Sequence, residues 1–91
     1  MRIINQSGVT LTLNGHELGP TQECFTAENM FNTQAIHSDI GSVEITTEYG
    51  KRSFECFGQL TAYEDEHTID SNGLPHIVID TIERKADADS N

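Results

Sequence analysis

The chain has 91 residues, of which 5 are Lys or Arg and 15 are Asp or Glu, for a formal net charge of −10 with 35% hydrophobic and 22% charged residues. This length holds one domain at most, with a thin core and no space for separate catalytic and substrate-binding domains. Two cysteines exclude a disulfide framework, and no apolar run approaches the ~18 residues of a membrane span.

Arg2 to Asn5 opens the chain as a short strand, followed by the turn Gln6-Ser7-Gly8. The N-terminus has neither the apolar core nor the cleavage site of a secretory leader, which predicts a cytoplasmic protein with Cys24 and Cys56 as buried free thiols. Val9, Leu11 and Leu13 then alternate with Thr10 and Thr12 as far as Asn14-Gly15, a strong signal for a type I′ hairpin turn. A two-residue loop there pairs Leu13 with His16 and Leu11 with Leu18, and Gly19-Pro20 ends the returning strand.

From Phe25 to Ser38 the pattern predicts a helix. Thr26 suits the N-cap, Phe25 and Met30 form a hydrophobic staple, and Ala27, Phe31 and Ala35 follow at helical spacing. Asn29, Asn32 and Thr33 are poor helix formers, so this helix depends on docking against a sheet.

From Ser42 the alternation returns, with Val43, Ile45, Thr47 and Tyr49 on an inner face and Glu44, Thr46 and Glu48 on an outer one. A type II′ turn at Gly50-Lys51 pairs Tyr49 with Arg52, Thr47 with Phe54 and Ile45 with Cys56, which places Ser53, Glu55 and Phe57 outside. Gly58 marks a bulge or bend in a strand that continues through Leu60 and Ala62. Glu64-Asp65-Glu66-His67 is expected as an exposed charged loop, with a turn at Asp70-Ser71-Asn72-Gly73 and a last strand from His76 to Ile82.

These elements predict an α+β domain over residues 1–82: an antiparallel sheet of five or six strands with one short helix packed on one face. The core combines Met30, Phe31 and Ala35 with Val43, Ile45, Phe54, Leu60, Ile77 and Ile79, and residues 83–91 form a disordered acidic tail.

No catalytic chemistry is spelled out. The chain contains no phosphate-binding glycine loop, no dinucleotide fingerprint and no nucleophile elbow, so no enzyme and no cofactor are expected. A calcium loop over residues 68–79 fails because Ile79 stands where a bidentate Glu is required. His16, His37, His67 and His76 lack the short paired spacings of a zinc site, and no metal is expected.

Charge carries the functional reading. Only Arg2, Lys51, Arg52, Arg84 and Lys85 can meet phosphates, so direct duplex binding and membrane binding are not expected. A net charge of −10 instead steers the chain toward basic protein surfaces. The candidate partner-binding residues are Glu44, Glu48, Glu55 and Phe57 on the outer sheet face, with Glu64, Asp65, Glu66 and Asp70 in the charged loop. Both carboxylate clusters are expected to stand without a neighbouring cation.

In length, acidity and absence of catalytic motifs, the chain resembles the small anti-CRISPR inhibitors that bacteriophages encode. The resemblance implies a monomer or dimer in the bacterial cytoplasm that binds a CRISPR effector complex and occludes the basic surface where target DNA must lie. A small structural or adaptor component of a virion or assembly, using sheet edges for its contacts, is the alternative.

Overall fold

Side chains that alternate between inside and outside with a period of two dominate the chain, and they generate strands nearly throughout. The computed structural model describes residues 1–26, 31–71 and 73–84. Its strands are β1 (Arg2–Asn5), β2 (Leu11–Leu13), β3 (His16–Leu18), β4 (Glu23–Phe25), β5 (Phe31–Ser38), β6 (Gly41–Glu48), β7 (Lys51–Gly58), β8 (Leu60–Ile69) and β9 (Pro75–Thr81). They form a four-stranded sheet in the order β4-β1-β9-β8 and a five-stranded sheet in the order β3-β2-β5-β6-β7. β1 runs parallel to β9, with Ile3 beside Ile77, and the other ladders are antiparallel.

One core lies between the inner faces. Ile3, Leu11, Val43, Ile45, Leu60, Ile77 and Ile79 are fully buried there, with Ile36 beside them. Each such side chain contributes about 1.5–3 kcal/mol by leaving water, which lets so thin a core order strands with little intrinsic stability.

The antiparallel character of the fold is as expected, but the helix over Phe25–Ser38 is not formed. Phe25 ends β4, and Phe31–Ser38 is β5, paired with β6 along its full length. Phe31, Thr33, Ala35 and His37 share one face of this strand, while Gln34 and Ile36 are buried on the other. The spacing of Phe31 and Ala35 fits either period, and Asn32 and Thr33 resist helix; pairing on both edges, with β2 and β6, decides for strand. Phe31, expected in the core, is 67% exposed. Ala27, Glu28, Asn29 and Met30, the expected first turn, lie outside the described residues. The result is a nearly all-β domain with a single helical turn over 82–84 among the described residues, in place of the α+β arrangement.

The two hairpins turned out differently. Asn14-Gly15 makes the expected turn, with Leu11 opposite Leu18 and Leu13 opposite His16, and both turn residues have positive φ, 50° and 85°. In the second hairpin the turn is Tyr49-Gly50 rather than Gly50-Lys51, so Glu48 faces Lys51, Thr47 faces Arg52 and Ile45 faces Phe54. The register slides by two residues, an even number, so the strand side chains keep their expected faces, while Tyr49, expected on the inner face, moves into the turn.

The acidic run Glu64-Asp65-Glu66-His67 is strand rather than exposed loop: it lies in β8, whose ladder with β9 shifts register between Asp65 and Ile69. The ordered chain also extends past residue 82. Arg84 donates from Nη1 to the Gln6 carbonyl at 2.8 Å, and its own amide donates to Thr81 Oγ1, so residues 83 and 84 belong to the domain and not to a tail. Residues 85–91 lie outside the described residues.

Candidate functional site

The outer face of the five-stranded sheet is set out in cross-strand rows. One row runs Glu17, Thr12, His37, Ser42, Phe57, and the next runs Ala35, Glu44, Glu55. A row of hydroxyls follows, Thr33, Thr46 and Ser53, with the first two hydroxyl oxygens 3.5 Å apart, and then Phe31, Glu48 and Lys51. Alternation on β5, β6 and β7 therefore collects Glu44, Glu48, Glu55 and Phe57 on one exposed surface, as their spacing predicts.

Two features of this surface need explanation. Glu44 and Glu55 are directly opposite across the β6–β7 ladder, a position whose Cβ atoms stand about 5 Å apart and where like charges are destabilising. Aromatic side chains stand open at two corners, with Phe57 53% exposed and Phe31 67% exposed, and Tyr49 at the adjoining turn is 76% exposed. Lys51 is the one Lys or Arg on the face among the described residues. Phe31 and Tyr49 were missed because Phe31 was placed in a helix and Tyr49 on the inner face. The poor helix formers Asn32 and Thr33 are the one sequence signal against the helix that hid the first.

The second acidic cluster is not brought together as a surface of its own. Glu64 faces inward from β8 and accepts from Arg52 Nη1 at 3.5 Å, so it has the neighbouring cation that the sequence reading denied it. Arg52 also donates to the Pro75 carbonyl at 2.7 Å, and its side chain is 3% exposed, so this pair pins one sheet to the other. Asp65 Oδ1 accepts the His67 amide at 3.0 Å across the irregular part of β8. Asp70 Oδ1 accepts the Leu74 amide at 3.1 Å and closes the turn before β9. Glu66 remains exposed. Three of the four carboxylates thus serve the fold, and the outer sheet face is the stronger candidate.

Other chemistry is sparse. Among the described residues no three His, Cys, Asp or Glu side chains converge as metal ligands, and no helix is long and apolar enough to cross a membrane. His76 is buried, and neither ring nitrogen has a hydrogen-bond partner among the described residues. Cys24 is half-buried, and burial raises its thiol above the ordinary value against a smaller opposing pull from the N-terminal ammonium. Cys56, expected inside, is exposed because β7 is an edge strand. An alkylating reagent at neutral pH should therefore modify Cys56 quickly and Cys24 slowly, since the thiolate is the reactive form. Mass spectrometry of the time course checks this, and two equally fast sites would contradict it.

Comparison with known protein families, curated proteins and solved structures finds no match to this chain.

Proposed function

We propose that this domain is a small non-enzymatic inhibitor that binds a basic, nucleic-acid-handling protein surface through the outer face of its five-stranded sheet. The observation that carries the reading is the direct opposition of Glu44 and Glu55 beside an exposed Phe57. A pair of like charges weakens the isolated domain and is relieved when a cation is placed between them. Arg suits such a place, because its guanidinium can donate to two carboxylates while its planar face stacks on an aromatic ring. The net charge of −10 supplies the long-range attraction. The resemblance to anti-CRISPR inhibitors implies a CRISPR effector complex in the bacterial cytoplasm as the partner class, with the domain covering the surface that receives target DNA.

Glu55→Gln separates function from solubility. It should raise the melting temperature slightly, by removing about 0.2–1 kcal/mol of cross-strand repulsion, while weakening capture of the partner. The check is thermal melting beside retention of binding proteins from a bacterial lysate at low and high salt, identified by mass spectrometry. Retention of basic nucleic-acid-binding proteins that salt abolishes supports the reading. Retention that is indifferent to salt and to Glu55→Gln would overturn it.

A second reading, a structural component of a virion or assembly, is favoured by one observation, the long edge of β7 that no strand among the described residues pairs. Such a component forms open-ended oligomers, which light scattering distinguishes from a monomer or closed dimer.

A further inference from the structure

We infer that β7 is a self-complementary edge through which two copies of this chain pair antiparallel about Ser53, joining their five-stranded sheets into one.

Among the described residues the sheets end in four edge strands, and they are not equivalent. β3 and β4 have 3 residues each, and β8 is interrupted by the register shift between Asp65 and Ile69. Short or irregular edges are the ordinary protection against pairing with another chain. β7 has 8 residues, and its ladder with β6 is unbroken from Gly41–Gly58 to Glu48–Lys51. In a hairpin closed by a two-residue turn, the flanking pair Glu48–Lys51 exchanges hydrogen bonds, and so do alternate pairs beyond it. The peptide groups of Phe54 and Cys56 consequently face away from β6, along the open edge.

The side chains select the second copy and the register. With Ser53 on the two-fold axis, Lys51 of each copy stands opposite Glu55 of the other. Both residues lie on the outer face of β7, since cross-strand partners share a face. The arrangement thus makes two opposite-charge pairs from one strand read against itself, and brings Phe57 of each copy past the end of the strand toward the Tyr49-Gly50 turn of the other. A depression of about 340 Å³ lined by Thr46, Glu48, Tyr49, Lys51, Arg52 and Ser53 lies beside the start of this edge, on the side the second copy would approach. A centre at Phe54 instead would set Lys51 against Phe57 and lose both charge pairs. The closed two-fold also stops growth at two copies.

Net charge opposes this pairing, because each copy carries −10. Repulsion of that kind is long-range and screened by salt. Dimerisation should therefore strengthen as salt is added, the opposite of the salt dependence proposed for binding to a basic partner, so either reading can fail without the other.

The test uses the full chain with Ser53→Cys in a Cys56→Ser background. At Ser53 the two strands come close enough for a disulfide, being a non-hydrogen-bonded position next to the axis. Oxidised glutathione in excess is the oxidant: two Ser53→Cys thiols lose their protons and electrons to it, one intermolecular S–S bond forms, and two reduced glutathiones leave. Most of the double variant should become covalent dimer, while Cys56→Ser alone, which retains Cys24, should not. In analytical ultracentrifugation the unmodified chain should dimerise more at high salt, Lys51→Glu should lower the dimer fraction, and Lys51→Glu with Glu55→Lys should restore it. Far-UV circular dichroism confirms that each variant is folded. A Ser53→Cys variant that stays monomeric under oxidation, or a Lys51→Glu variant that dimerises as well as the unmodified chain, would overturn the inference.

Discussion

Replacing Asn5 with alanine should lower the unfolding free energy by about 3–4 kcal/mol, measured by urea denaturation. Asn5 is fully buried in β1. Its Nδ2 donates to the carbonyls of Val9, Leu18 and Gly19 at 2.8, 3.1 and 3.0 Å. Its Oδ1 accepts the Ser7 amide at 3.0 Å and the Ser7 hydroxyl at 2.6 Å. One side chain thus ties a strand of the four-stranded sheet to the end of β3 in the other, where no ladder connects them. Alanine removes the hydrogen bonds and leaves their partners facing a void, and each buried unpartnered group costs about 1–3 kcal/mol. Asn5→Asp is the stricter test: it keeps the shape but turns the amide donor into an acceptor facing three carbonyls, and it should be at least as harmful. Ser7→Ala, which leaves the three carbonyl contacts in place, should cost about 1 kcal/mol. A chain of this length has total stability of roughly 5–13 kcal/mol, so the Asn5 variants should lose between about a quarter and most of it while remaining largely folded at 25 °C. If Asn5→Ala melts within a degree or two of the unmodified chain, Asn5 is not the tie between the sheets.

What the sequence disclosed followed from how local the determining interaction is. The register of the β2–β3 hairpin was legible in full, because only Asn-Gly among its residues accepts two successive positive φ angles. The outer face of β6 and β7 was legible although the turn was misplaced, because an error of two residues preserves faces. The segment Phe31–Ser38 was misread because its apolar residues satisfy both periods, and the choice is made by β2 and β6, which flank it only in the folded chain. The tie at Asn5 and the Arg52–Glu64 pair have no local signature. Each joins residues more than ten apart in sequence, and their existence depends on which sheet edges face one another. The same limit applies to the candidate site: Glu44, Glu48, Glu55 and Phe57 could be grouped from one hairpin, whereas Phe31 joins them only through β5.

Gly41→Ala should be similarly damaging, with a loss of about 3 kcal/mol or more. β7 and β8 belong to different sheets, and the chain crosses between them at Gly58-Gln59. The crossing is held against the β5–β6 turn, where the Gln59 amide donates to the Ile40 carbonyl at 2.8 Å. A Cβ on Gly41 would lie 2.2 Å from the Phe57 carbonyl oxygen and 3.0 Å from the Gln59 nitrogen. Both are backbone atoms, so no rotamer change relieves the overlap, and the two chain segments must separate. Gly58, its cross-strand partner, has φ +70° and would place a Cβ 2.5 Å from the Ile40 carbonyl oxygen, so Gly58→Ala adds left-handed strain of about 1–2 kcal/mol to a clash of its own. Once one substitution has forced the segments apart, the second meets a gap already opened. The double variant should therefore lose less than the sum of the single losses, a departure from additivity of the kind residues in direct contact show. The consequence reaches the candidate site, because the displaced Phe57 carbonyl carries the Phe57 ring with it. Under conditions where Gly41→Ala remains folded, partner capture should fall with no change in charge. Strict additivity of the two losses, or a Gly41→Ala variant that keeps both its melting temperature and its binding, would mean that the segments have room to move.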